Sequence, residues 1–204
     1  MAIDPETCKS FDLAGKNLSN RGYNSSHSGN LSIRSGGKII ITRRSSMLGW
    51  LEPEDLVEIS LDDEDAHSGL IASIESNVHR TIYKETDAMA TVHAHAPAIT
   101  ALSMIQDEIT CTYEEGMYLY KKIPIVECDV PVGSYEVAEK VAPLLKNSPT
   151  LVVRAHGVFA KRVKLEDALG VLTGVEQSAD IIYQIKLMGI RLKREYSIKN
   201  EFSN

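Results

Sequence analysis

Apolar and polar positions along the chain alternate with two periods, one near four and one of two, and so mark out helices and strands in mixed order. Phe11, Leu13, Ala14 and Leu18 fall at helical spacing, which predicts a helix from Phe11 to about Gly22, a glycine suited to a left-handed cap. A Ser/Asn/Gly-rich turn, YNSSHSGN, passes into alternation from Asn30 to Arg34, and Gly36-Gly37 joins that run to Lys38–Thr42 as a β-hairpin. After a loop, a helical turn near Pro53 leads into a strand from Leu56 to Ile59, and the acidic LDDEDAHSG reads as a solvated turn. Ser73 then precedes a helix with Ile74, Val78 and Ile82 on one face and Glu75 and His79 on the other. TVHAHA is the next strand, and Pro97 sits in the first turn of the helix after it. IPIVECDVPVG reads as a short strand and a turn, after which Ser134 can cap a helix carrying Val137, Ala138, Val141 and Leu145. TLVVRAHGVFA is an apolar strand broken at His156 and Gly157, and a long helix runs from Leu165 to Met188, stopped by Gly189. This mixture of hairpins and helices predicts an α/β fold, a sheet covered by helices, in one domain spanning 1–204 with no internal repeat and no linker.

Composition adds exclusions. With 22 basic and 28 acidic residues the net charge is −6, which argues against nonspecific nucleic-acid binding, so an anionic ligand needs a local positive site. Cys8, Cys111 and Cys128 are too widely spaced for a CxxC zinc motif and odd in number, so a reducing cytoplasm is the expected location. No apolar run reaches the roughly 18 residues of a membrane span, and the first residues lack the pattern of a signal peptide.

The candidate chemistry starts at TVHAHAPA, where His93 and His95 share one face of a strand. A histidine in an apolar strand is commonly a core residue with one hydrogen bond, but two adjacent imidazoles ask for a shared partner, and a metal ion is the obvious one. His156, at a strand end beside Gly157, is where a third ligand is expected. Three neutral imidazoles with an open position describe a catalytic zinc site better than a structural one. Glu75, at the start of its helix, is the best fourth group, against the commoner fate of a surface acid; His79 is read as a helix histidine packing or bonding near Glu75.

SGNLS, TRRSSMLGWLEPEDLVEI, SIES around Glu75, VHAHA and AHGVFAKRVKLEDAL occur in the order found in the class II aldolase and adducin family, which the chain resembles from about Phe11 to Gly189. The resemblance implies a three-layer α/β/α fold with a mixed, largely antiparallel sheet, a zinc ion, and a homotetramer with sites at subunit boundaries. It implies zinc ligands at His93, His95 and His156, with Glu75 as an extra ligand in the empty site and an acid/base in the working one. Tyr113, in CTYEEGMYLYKKIP, falls where the family's aldolase has a catalytic tyrosine reaching a neighbouring subunit. Gly29, Asn30, Ser45 and Ser73 match or can serve the family's phosphate pocket. The chain departs from that pattern at Ile74, which replaces a second serine, and at Arg44-Ser45, which replace Thr-Gly; Arg44 can supply a fork to phosphate. Ala155 stands where the type enzyme has another histidine, and the shorter tail, REYSIKNEFSN, offers no firm match for a second, tail-borne tyrosine beyond the candidate Tyr196. The implied activity is cleavage of a ketose 1-phosphate to dihydroxyacetone phosphate and an aldehyde. Methylthioribulose-1-phosphate dehydratase, a pentulose-phosphate 4-epimerase and a metal-free adducin-like interaction module are the alternatives on the same fold; an unrelated zinc hydrolase is the alternative outside it.

Overall fold

A computed structural model describes residues 3–62 and 70–189. Among the described residues, eight strands form one sheet: β1 (Asn30–Ser35), β2 (Lys38–Thr42), β3 (Leu56–Ser60), β4 (Ala90–Ala94), β5 (Glu108–Thr110), β6 (Lys122–Val126), β7 (Thr150–Val153) and β8 (Gly157–Arg162). Their order is β3-β2-β1-β4-β8-β7-β6-β5, and all neighbours are antiparallel except β6 and β7. Six helices with bounds wholly among the described residues flank it: α1 (Pro5–Asn20), α2 (Ser76–Glu85), α3 (Pro97–Ser103), α4 (Glu114–Leu119), α5 (Tyr135–Leu145) and α6 (Leu165–Met188).

The period of two along the strands divides the apolar residues between two cores. Ile40, Val92, Ala94, Val152, Val158 and Ala160 pack with α1, α3 and α6 on one face. Ile39, Ile41, Leu151, Val153 and Phe159 pack with α2 and α5 on the other. Three layers result, the expected α/β/α arrangement. Each large apolar side chain so buried contributes about 1.5–3 kcal/mol relative to exposure. The sheet therefore holds β4 and β8, the strands around the histidines, between two packed layers.

Several local expectations need correction. Helix α1 begins at Pro5, not Phe11, because Asp4 accepts the Thr7 N–H and proline occupies the first turn. Helix α2 begins at Ser76, so Ser73 does not cap it; its Oγ instead accepts from the Glu75 N–H inside a turn (3.2 Å). Ile74, expected on the buried face, is 47% exposed because it precedes the helix and escapes its periodicity. Short β5 and α4 carry no expectation from the sequence pattern. Most of the acidic turn after Leu61, and Tyr196, lie outside the described residues.

Candidate metal centre and its cavity

His93 and His95 lie on and just beyond β4, and His156 lies in the turn between β7 and β8. Pairing of β4 with β8 sets His93 opposite Phe159, and the two rings stack at 4.1 Å between centroids. His93 Nδ1 lies 2.9 Å from the Val158 carbonyl oxygen. A carbonyl can only accept, so Nδ1 carries the proton and Nε2 presents its lone pair, the tautomer a metal ligand needs. His93 Nε2 is 3.1 Å from His95 Nε2, and the His156 ring lies 4.7 Å from both neighbours between centroids.

One nitrogen of each ring lies within 4.8 Å of the others. Ligands about 2.0–2.1 Å from a tetrahedral zinc stand about 3.4 Å apart, so the triad suits a cation of that size. The electrostatics agree. Burial, and then the neighbouring His156 and His95, hold His93 well below the usual imidazole range. Burial likewise lowers His95, and burial with His95 lowers His156 to about 4. The three rings are therefore neutral at pH 7, as metal ligands must be.

Glu75 faces this triad from the turn before α2. Its Oε1 accepts the Gly133 N–H at 2.9 Å and lies 3.8 Å from His156 Nε2, while Oε2 is buried without a hydrogen-bond partner. Burial pushes this carboxyl up to about 7, the Gly133 bond opposing. Glu75 can thus hold or release a proton near neutral pH, the condition for acid/base work.

Triad and carboxyl share a cavity of about 350 Å³, whose lining also contains Gly29, Asn30, Arg44, Ser45 and Ser73. Nine of the ten site residues expected from sequence therefore converge; the tenth, Tyr113, does not line this cavity. Tyr113 stands at the start of α4, where its hydroxyl donates to Glu115 Oε2 at 3.3 Å. His79 is buried, and its Nδ1 lies 2.6 Å from Ser32 Oγ.

Gly29 takes φ +79, and a Cβ there would meet the Asn24 side chain at 2.6 Å, so only glycine lets this turn close against the wall. His27, Arg43 and Val132 also line the cavity, and nothing in the sequence pattern singles them out. The Gly133 N–H is equally silent in sequence; a glycine just before a helix-capping serine is its only trace.

A three-layer fold that brings three imidazoles, able together to hold a metal ion, and a proton-holding carboxyl into one cleft is the frame of an enzyme. The chain belongs to the class II aldolase and adducin family: the family model "Class II Aldolase and Adducin N-terminal domain" matches residues 12–183. It is 33% identical over 174 residues to an L-fuculose phosphate aldolase of Methanocaldococcus jannaschii, covering 85% of this chain and 93% of that protein. It is 30% identical to a methylthioribulose-1-phosphate dehydratase of Gluconobacter oxydans, covering 83% of this chain and 87% of that one. The crystal structure of an L-fuculose-1-phosphate aldolase from Thermus thermophilus superposes with a TM-score of 0.87 at 31% identity, over 94% of this chain and 100% of that one.

Proposed function

We propose that this chain is a zinc-dependent sugar-phosphate aldolase of the fuculose-phosphate type, cleaving a ketose 1-phosphate reversibly to dihydroxyacetone phosphate and an aldehyde. The observation that carries the reading is the meeting of His93, His95, His156 and Glu75 with a wall of hydroxyls, amides and a guanidinium in one cavity. When bound by the three imidazoles, a divalent cation supplies Lewis-acid stabilisation of negative charge that develops on the substrate oxygens.

Glu75 moves the proton at the substrate carbon that gains charge as the carbon–carbon bond breaks, and a carboxyl titrating at about 7 suits both directions of transfer. Gly29, Asn30, Ser45 and Ser73 hold the phosphate with hydroxyl, amide and backbone donors, and Arg44 supplies positive charge in place of the family's threonine. Seating that dianion among these groups orients the reacting carbons toward Glu75. Tyr113 exchanges the proton of the hydroxyl that becomes the aldehyde. Because it lies outside its own chain's cavity, this role requires a neighbouring subunit, which agrees with a homotetramer whose sites lie at boundaries. No described helix is long and apolar enough to cross a membrane, and the free cysteines favour the cytoplasm.

Zinc-reconstituted protein incubated with L-fuculose 1-phosphate and a panel of ketose 1-phosphates should release dihydroxyacetone phosphate from at least one. None from any would sink the reading. The dehydratase relative favours a second reading on the same site, loss of water from methylthioribulose 1-phosphate. NMR of the products separates dehydration, and epimerisation as well, from cleavage.

A further inference from the structure

Two of the three histidines are held by opposite ends of one short helix, and a buried carboxylate from a different element secures that helix. Helix α3 starts two residues after His95. Its N-cap is Ala96, which has no side-chain oxygen, and Pro97 has no N–H, so the first amides needing partners are those of Ala98 and Ile99. Glu176, in the middle of α6 and 5% exposed, accepts both: Oε1 from Ala98 at 2.8 Å and Oε2 from Ile99 at 2.8 Å. Ile99 is fully buried, so its N–H has no access to water if Glu176 is removed.

The far end of α3 grips the turn that carries His156. Ser103 Oγ accepts from the Ala155 N–H at 3.1 Å, and Arg154 Nη1 donates to the Ser103 and Gln106 carbonyls. His95 itself is fixed through its backbone, whose N–H donates to Asn24 Oδ1 at 3.2 Å. A shift of α3 along α6 would therefore move His95 and His156 relative to His93, which is tied separately to Val158 in the sheet.

We propose that Glu176 is a positioning residue of the metal centre, a carboxylate that caps α3 with both oxygens and thereby sets the spacing of His95 and His156. The inference rests on the reading of the three histidines as metal ligands. Outer partners that orient ligands typically change metal affinity by about 10–100-fold when lost.

Purified protein is stripped of metal and titrated with Co²⁺, following the visible d–d absorption, then with Zn²⁺ in competition. E176A should bind Co²⁺ about 10–100-fold more weakly with an altered band shape. E176Q, which keeps one acceptor oxygen, should fall between E176A and the unmutated chain. Ile59→Ala, a cavity in the core under β3 and remote from α3, serves as the control: it should lower Tm at least as far yet leave Co²⁺ affinity unchanged. Equal affinity in E176A and the parent, or equal weakening in I59A, overturns the proposal. Should E176A fail to fold, E176Q against I59A decides alone. A parent chain that binds neither metal overturns this inference and the metal-dependent reading together, whereas tight binding in the parent with no effect of Glu176 overturns this inference only.

Discussion

At the scale of single residues, the sharpest consequence is that a carboxyl is stored where it is reluctant to ionise. Glu75 is raised to about 7 by burial, above its ordinary value, so the folded chain holds its proton more tightly than the unfolded chain does. Its contribution to stability is therefore fully present at low pH and is lost as pH rises toward 7. Glu75→Gln lacks that loss. In metal-free protein the Tm of E75Q should exceed that of the parent by a few degrees at pH 8, and the gap should shrink at pH 5; a gap that widens on acidification would refute the burial argument. The same variant should lose about 10²–10⁴-fold in kcat for carbon–carbon cleavage, the typical contribution of a positioned acid/base. Ala155 presents the opposite case, a residue in a backbone state it tolerates poorly. Its φ of 58° is left-handed, and a non-glycine residue there costs about 1–2 kcal/mol. Ala155→Gly should therefore raise stability, by up to about 1 kcal/mol after glycine's extra chain entropy, measured by denaturant unfolding.

Among the elements, β4 and β8 are where fold and chemistry constrain each other most tightly. A Cβ on Gly157 would lie 2.4 Å from the Ala94 carbonyl oxygen and 3.0 Å from His95 Cδ2. Backbone cannot yield there without parting the strands, so Gly157→Ala should cost about 1–3 kcal/mol of stability and also weaken Zn²⁺ binding, read by unfolding and metal titration. Normal Zn²⁺ affinity in this variant would mean that the His95 ring has room to move. This junction is readable in sequence because its function is written in side chains: His-x-His on an alternating strand and His-Gly at a strand break. The long helix α6 and the β1–β2 hairpin are readable for the same reason, many residues repeating one period. What escapes is carried by backbone or by distance. The Gly133 N–H that holds Glu75 is a donor every residue but proline has. Glu176 looks like any solvated acid on a helix until α3 is packed against it. Strand β5 has three residues and α4 six, too few to register a period, and α4 has no side-chain cap to announce it. Asp4 does mark the start of α1, but the apolar pattern begins later, and a reading by pattern alone starts the helix too far along.

For the whole molecule, the site imposes a proton balance that should govern acid sensitivity. His79 is lowered to about 3 and His156 to about 4, and His93 and His95 are lowered too, burial being the main cause each time. Each is neutral when folded and takes up a proton on unfolding below its ordinary value near 6.5. Depressed bases make stability fall as pH falls from about 6.5 toward 4. Glu75 and Glu176, both raised by burial, act the other way over part of that range. Four imidazoles outweigh two carboxyls, so the unfolded chain binds more protons and the net slope is positive, about 1.4 kcal/mol per pH unit for each net proton. The Tm of metal-free protein should thus drop steadily between pH 7 and pH 5. On the zinc reading, the triad stays neutral in the folded chain well below pH 6, with His156 lowered to about 4, so added Zn²⁺ should raise Tm at pH 5 as well as at pH 7.5. His79→Asn separates the two contributions: it removes one buried imidazole that touches Ser32 rather than the triad. That variant should flatten the acid slope of the metal-free chain and leave the zinc-dependent increment in Tm at pH 7.5 in place. A flat Tm profile in metal-free parent protein between pH 7 and pH 5 would show that these imidazoles are solvated, and the neutral, preorganised triad would have to be abandoned with it.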